Sequence, residues 1–243
     1  MPNQRGFFLH TIFNNMEHML LLHGAIGSKD QLMDLETELA DSFTVHNLNF
    51  SGHGGSPQID EAFSINGFAS EVIAFLNKKE IESINIFGYS MGGYVAIYLA
   101  KHHPQRIKKI ITLATKFTWN EIIAAREIKM LNAEKIEEKL PDFATALQTR
   151  HAPNDWKIIL EKTAEMLTVM GKDNPLKIAD YAEIQHRVLL LLGDRDKMVT
   201  LDETVEVFKM LPNAELAVLP NTAHPVELAN AARLANEIRT FLL

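Results

Sequence analysis

No cysteine occurs anywhere in the 243 residues, which at once excludes a disulfide, a thiolate nucleophile and a thiolate-bound metal. Long apolar runs are missing too: nothing approaches the roughly 20 residues that a membrane span needs. The start, MPNQRGFFLHTIFNN, has one arginine and a short apolar stretch broken by His10 and Thr11, too weak for a secretory leader. The expectation is a cytoplasmic protein with no membrane partner. Basic runs are absent and the formal charge is -7, which argues against nucleic acid as a partner, since nothing could neutralise a row of phosphates. There is no His-Glu-x-x-His or comparable ligand spacing, so neither a metal nor another cofactor is expected. No internal repeat or low-complexity segment breaks the chain. What is abundant is hydrophobic residues, 47% of the total, enough for a substantial core.

The most informative stretch is SINIFGYSMGGYVAIYLAKH, residues 83 to 102. Ile84, Ile86 and Phe87 read as a strand, and Val95, Ala96, Leu99 and Ala100 follow at helical spacing. Between them, Gly-Tyr-Ser-Met-Gly-Gly forces Ser90 onto a sharp turn. Such a turn needs a strained backbone and almost no side chain beside it, and Gly88, Gly92 and Gly93 supply that room. A Gly-Ser turn is common in any protein; its position between strand and helix is what marks a nucleophile.

In chain order, residues 7 to 13 read as a first strand and Met19 to Leu22 as a strand buried on both faces. Ser28-Lys29-Asp30-Gln31 has capping-box spacing ahead of Leu32, Leu35, Leu39 and Ala40 on one helical face. Phe43 to Phe50 is the next strand, SGHGGSP a loop, and residues 64 to 79 an amphipathic helix. Ile107 to Leu113 is a β-branched strand. This alternation specifies a parallel sheet with helices on both faces. From about Lys116 to His186 the text is helical and charged, with Ile159, Thr163, Met166 and Met170 on one stripe. The sheet resumes at Val188 to Leu192. A second capping box, Thr200-Leu201-Asp202-Glu203, opens a helix ending near Leu211-Pro212, and Glu215 to Leu219 is the last strand. Pro225 is expected in the first turn of a final helix carrying Val226, Leu228, Ala232, Ala235, Ile238 and Phe241. The fold class is therefore α/β, a doubly wound, mostly parallel sheet with a helical insertion.

A serine hydroxyl needs a base, and the base an orienting acid. Of ten histidines, His102 and His103 lie about twelve residues up the helix from Ser90, roughly 18 Å away. His46 sits in a strand, His151 and His186 in or beside the insertion, and His10 and His18 before the sheet core. His53 is read as a loop residue packing near the site. His224 alone follows the last strand by a short loop, at the carboxyl edge where open α/β sheets bind ligands. For the acid, Asp194 and Asp196 both occupy the turn after residues 188 to 192. The oxyanion of the tetrahedral intermediate needs N–H donors. Met91, directly after the serine at a helix amino end, offers one.

These motifs resemble the α/β-hydrolase family at His23-Gly24, at Ser51-Gly52-His53-Gly54-Gly55-Ser56, at Gly88 to Gly92, at Gly193-Asp194-Arg195-Asp196 and at His224, in the family's order. The resemblance implies a triad of Ser90, Asp196 and His224, with Asp196 chosen over Asp194 by the family's spacing after Gly193. It implies a second oxyanion donor after His23-Gly24, from Ala25 or, secondarily, Ile26. It also implies that 116–186 is a helical cap inserted into a core of 1–115 and 187–243. The chain departs from the family at Asn49, where aspartate often precedes the Gly-His-Gly loop, and at Ala223, where glycine often precedes the histidine.

Serine at the elbow argues against the family's haloalkane dehalogenases and epoxide hydrolases, which carry aspartate there. Phe117, Trp119, Ile122, Met130, Phe143, Trp156 and Met166 are available to line an apolar pocket, with Trp119, Phe143 and Trp156 the expected lining. The reading is a monomer or homodimer that hydrolyses a carboxylic ester of small or medium apolar groups through an acyl-enzyme. Three alternatives use the same fold: a carbon-carbon bond hydrolase, a lyase like the menaquinone-pathway synthase, and a non-catalytic ligand-binding protein. The lyase would want cations for a multiply charged substrate; Arg126, Lys129 and Arg150 are read instead as solvated helix-surface residues.

Overall fold

Residues that alternate along each strand divide between two cores, and that division builds the sheet. The computed structural model describes residues 16–58 and 60–242, so the strand expected at 7–13 lies outside the described residues. Strand β1 (His18–Leu22) is followed by helix α1 (Met33–Leu39), β2 (Thr44–Leu48), α2 (Ile65–Lys78), β3 (Ile84–Tyr89), α3 (Met91–His102) and β4 (Ile107–Leu113). Then come α4 (Glu121–Ile128), α5 (Ala133–Lys139), α6 (Pro141–His151) and α7 (Trp156–Lys172) before β5 (Arg187–Gly193), α8 (Leu201–Met210), β6 (Ala214–Leu219) and α9 (Ala231–Leu242). The six strands form one sheet in the order β2-β1-β3-β4-β5-β6, every pair parallel. Leu20, Leu22, Ile84, Ile86, Val188 and Leu190 face α2, α3 and α8, while Met19, Leu21, Phe87, Leu189 and Leu191 face α1 and α9. Both faces are covered, as parallel sheets require.

Strands β4 and β5 pair along Ile110↔Val188 to Leu113↔Leu191 although residues 114–186 separate them in sequence. The helices of that stretch therefore leave and re-enter the sheet at adjacent positions. Ile159, Met166, Leu167 and Met170 of α7 join the main core, and only Ile136, Ala144, Leu147, Trp156 and Leu160 form a cluster of their own.

The final helix differs from the sequence expectation. Pro225 precedes a single 3-10 turn, Val226–Leu228, and α9 begins only at Ala231. Leu228 and Ala232 consequently sit on the exposed side, and the buried face of α9 is Leu234, Ala235, Ile238 and Phe241. The two capping boxes are each half made. Gln31 Oε1 accepts from the Ser28 N–H at 3.0 Å, and the Thr200 hydroxyl accepts from the Glu203 N–H at 3.2 Å. Glu203 turns its own carboxylate across the molecule, to the N–H groups of Phe117 (2.9 Å) and Thr118 (3.1 Å) where the chain leaves β4.

Candidate active site

Ser90 sits between β3 and α3 with φ 51° and ψ -114°, a left-handed conformation that a residue with a side chain adopts only when its surroundings enforce it. Here β4 enforces it: the Ser90 N–H donates to Leu113 O at 2.8 Å and the Thr115 hydroxyl donates to Ser90 O at 3.1 Å. The glycines are required by contact. A Cβ on Gly92 would lie 2.3 Å from Leu22 O, and one on Gly88 2.4 Å from the Gly92 backbone.

At the next strand end, His224 Nδ1 lies 2.8 Å from Asp196 Oδ2. Because Nδ1 faces a carboxylate it carries the proton, which leaves Nε2 of the neutral ring as an acceptor. Asp196 is held in turn by the N–H groups of Met198 (2.7 Å) and Val199 (2.9 Å), both on Oδ1. Burial raises its pKa, but the bonds from His224 and these two N–H groups outweigh that, so the carboxyl stays below the usual range. Asp194 does something else: it accepts from the Thr222 N–H at 3.1 Å and stabilises the loop before His224. Ala223 is not left-handed; Asn221 takes the positive φ, 53°, two residues earlier, a conformation its short amide tolerates.

The loop after β1 is bound on both sides. Gly24 O accepts from His23 Nδ1 at 2.7 Å and from the Gly27 N–H at 3.1 Å. Across that trans peptide the Ala25 N–H points the opposite way. His23 Nε2 accepts from the Phe50 N–H at 3.2 Å, so both ring nitrogens are used. Burial, more than any other influence, lowers the His23 pKa to about 4, and the ring is neutral at pH 7. Ile26 has φ 51°, and its carbonyl accepts from Arg150 Nη1 (3.2 Å) and His151 Nε2 (3.0 Å). His151 Nδ1 accepts from the Gly54 N–H at 3.1 Å. One buried imidazole at the end of α6 thus joins the loops after β1 and β2. His53 packs between His23 and His151, with ring centroids 5.2 and 5.8 Å away. Asn49 anchors its loop as an amide, accepting from the Lys29 N–H at 2.6 Å and donating to Gly54 O at 2.9 Å. A carboxylate could not make the second bond.

Ser90, Met91, His224, Ala25 and Ile26 all border one cavity of about 300 Å³. Trp119, Met130, Phe143 and Met166 line it, Phe143 at a partly exposed position. Trp156 does not: it starts α7 where α5 and α6 close over that helix, and it is buried among Ile136, Ala144, Leu147 and Leu160. Phe117 is in the main core against Tyr181, and Ile122 is 83% exposed. Arg126 and Lys129 are exposed as expected, but Arg150 is not a surface residue. It borders the cavity and pairs with Glu227 at 3.2 Å, while Lys116 on the same wall pairs with Glu203 at 3.4 Å. Gln31, Glu227 and His151 were missed in sequence, since helix spacing alone does not show which polar residue a distant loop will meet. Among the described residues, no helix is long and apolar enough to cross a membrane.

Comparison with known proteins agrees with this architecture. A Bacillus subtilis (strain 168) protein provisionally named 2-succinyl-6-hydroxy-2,4-cyclohexadiene-1-carboxylate synthase is 25% identical over 253 aligned positions, covering 94% of this chain and 91% of the relative. A pimeloyl-[acyl-carrier protein] methyl ester esterase of Neisseria meningitidis serogroup B (strain H44/76) is 26% identical over 249 positions, covering 93% of each. The crystal structure of the enol-lactonase from Burkholderia xenovorans LB400 superposes with a TM-score of 0.75 at 17% identity, covering 94% of this chain and 92% of that one. Residues 17–152 match the family model described as alpha/beta hydrolase fold, and the chain belongs to that family.

Proposed function

We propose that this chain is a serine hydrolase cleaving carboxylic esters of small or medium apolar substrates through an acyl-enzyme. The observation that carries the reading is the 2.8 Å bond between His224 and Asp196 on the rim of the cavity that Ser90 also borders. In this reading the Ser90 hydroxyl attacks the ester carbonyl as His224 Nε2 takes its proton, and Asp196 holds the imidazolium. The alkoxide is met by the N–H of Met91, at the amino end of α3, and by that of Ala25. The two hydrogen bonds that hold the Gly24 carbonyl support Ala25 rather than Ile26 for this role. His224 returns the proton to the leaving alcohol, and a water repeats the sequence on the acyl-enzyme. Residues 116–186 act as a cap over a core of 1–115 and 187–243.

A cavity of about 300 Å³ is at the small end of the range for ligand sites, which suits a short or medium chain. The pairing of Lys116 with Glu203 and of Arg150 with Glu227 leaves neither cation uncompensated. That supports a neutral substrate over the multiply charged one a lyase of this fold would take. The methyl ester esterases among its relatives support ester cleavage. The test is hydrolysis of p-nitrophenyl esters from acetate to octanoate by the wild-type chain and Ser90→Ala. Turnover that falls to background in the variant is the expected result; a wild-type chain that itself stays at background on every ester overturns the reading.

A further inference from the structure

One wall of the cavity contains a polar atom without a partner. Thr163 of α7 is 1% exposed, and its hydroxyl has no hydrogen-bond partner among the described residues. Helical threonines rarely need to be in that position, because the carbonyl four residues back is always within reach. Thr37, Thr145, Thr149, Thr168 and Thr204 each donate to that carbonyl in this protein, Thr168 on the same helix. Thr163 does not use it, and it borders the cavity. Glu127 of α4, the helix that packs against α7, is 7% exposed and borders the same cavity. Arg126 donates to Glu127 Oε1 from Nη2 at 2.8 Å and from Nε at 3.2 Å. Met130, Leu131, Met166, Leu167 and Met170 line the same cavity and are apolar. Valine has the same shape as threonine and would avoid burying an unpaired hydroxyl, which is destabilising. A polar pair in an apolar wall fixes a ligand's orientation.

We infer that Thr163 and Glu127 form a recognition point for a hydroxyl group on the non-reacting end of the substrate chain. The hydroxyl donates to the Glu127 carboxylate and accepts from Thr163. This inference rests on reading the cavity as the ester site, and it adds to that substrate a hydroxyl at the far end of an otherwise apolar chain.

The test uses two readouts so that the two ideas can fail separately. Dissociation constants for 1-alkanols and the matching α,ω-diols of four to eight carbons are measured by NMR titration on the Ser90→Ala chain, where nothing turns over, with and without Thr163→Val. Removing the hydroxyl is expected to raise the diol-to-alkanol ratio about tenfold at the chain length that reaches the pair, with Glu127→Gln moving it in the same direction. A rise of less than threefold at every length overturns the inference, and Thr163 then serves packing or a bound water. Melting temperatures of the variants confirm that the fold is kept. In parallel, kcat/KM for p-nitrophenyl hexanoate and 6-hydroxyhexanoate is measured on chains that keep Ser90. Binding that follows the prediction without turnover of either ester leaves the subsite standing and removes the esterase reading. Turnover with an unmoved diol ratio does the reverse.

Discussion

His224 receives its orientation from Asp196, 2.8 Å away, and not from Asp194. Asp194 is two residues from Asp196, yet it is occupied by the Thr222 N–H and the neighbouring Arg195. Asp196→Asn is therefore expected to lower kcat by about 10²–10⁴, because an amide no longer fixes the base's tautomer. Asp194→Asn should leave kcat within about threefold, since Asn keeps the acceptor for Thr222. Steady-state kinetics on the two variants check this, and equal losses in both would reject the assignment of the acid.

Gly92→Ala places a methyl group 2.3 Å from Leu22 O, a backbone atom inside the sheet that cannot swing away. Overpacking of this kind costs about 3 kcal/mol. For a chain of this size that corresponds to a melting temperature lower by roughly 6–12 °C. Thermal denaturation followed by circular dichroism measures it, and an unchanged melting point would mean the elbow is less tightly packed than described.

His151→Phe keeps the ring's bulk but removes the donor to Ile26 O and the acceptor for the Gly54 N–H. Leaving two buried backbone groups short of partners costs about 2–4 kcal/mol in total. Arg150 still reaches Ile26 O, which places the expected loss toward the lower figure. The Ala25–Ile26 loop also loses a restraint, so kcat should fall more than KM rises. Urea denaturation and kinetics on one preparation separate the two effects; lost stability with unaltered kcat would show that the loop is held without His151.

Three buried histidines are expected to make the fold less stable in acid. Burial is the largest influence on each, lowering His23 and His151 to about 4 and His53 well below its usual value. Between about pH 6.5 and pH 4 the unfolded chain binds protons at these positions and the folded chain does not, so stability falls as pH is lowered through that window. For His23 alone the shift corresponds to about 3 kcal/mol. The paired carboxylate Asp196, whose pKa is depressed, adds its loss only at still lower pH. Urea midpoints at pH 7.5, 5.5 and 4.5 should decline steadily, and a flat series would mean these rings are protonated in the folded state.

Much of the sheet was legible because its signals are local. Met19 to Leu22, Ile84 to Phe87, Ile107 to Leu113 and Val188 to Leu192 carry strand periodicity in their own residues, and all four are strands. Pro225 misled for an equally local reason: proline fits a helix start, but the turn it opens ends at Leu228 and α9 begins after it. Helical spacing in α7 says nothing about which neighbour covers its first turn, and there Trp156 is buried under α5 and α6 instead of lining the cavity.

The sequence by itself determined the sharp turn at Ser90. Glycine at 88, 92 and 93 around Ser90 leaves few conformations open, so the turn between β3 and α3 could be read from residue types. Tertiary structure decided everything that depends on two distant segments meeting. That Asp196 and not Asp194 reaches His224, and that His151 joins the loops after β1 and β2, are contacts made across the fold. Spacing along a chain records periodicity and turns. It does not record which side chain a partner some 30 or 125 residues away will face, because that is fixed only when the sheet closes its register and the inserted helices settle over it.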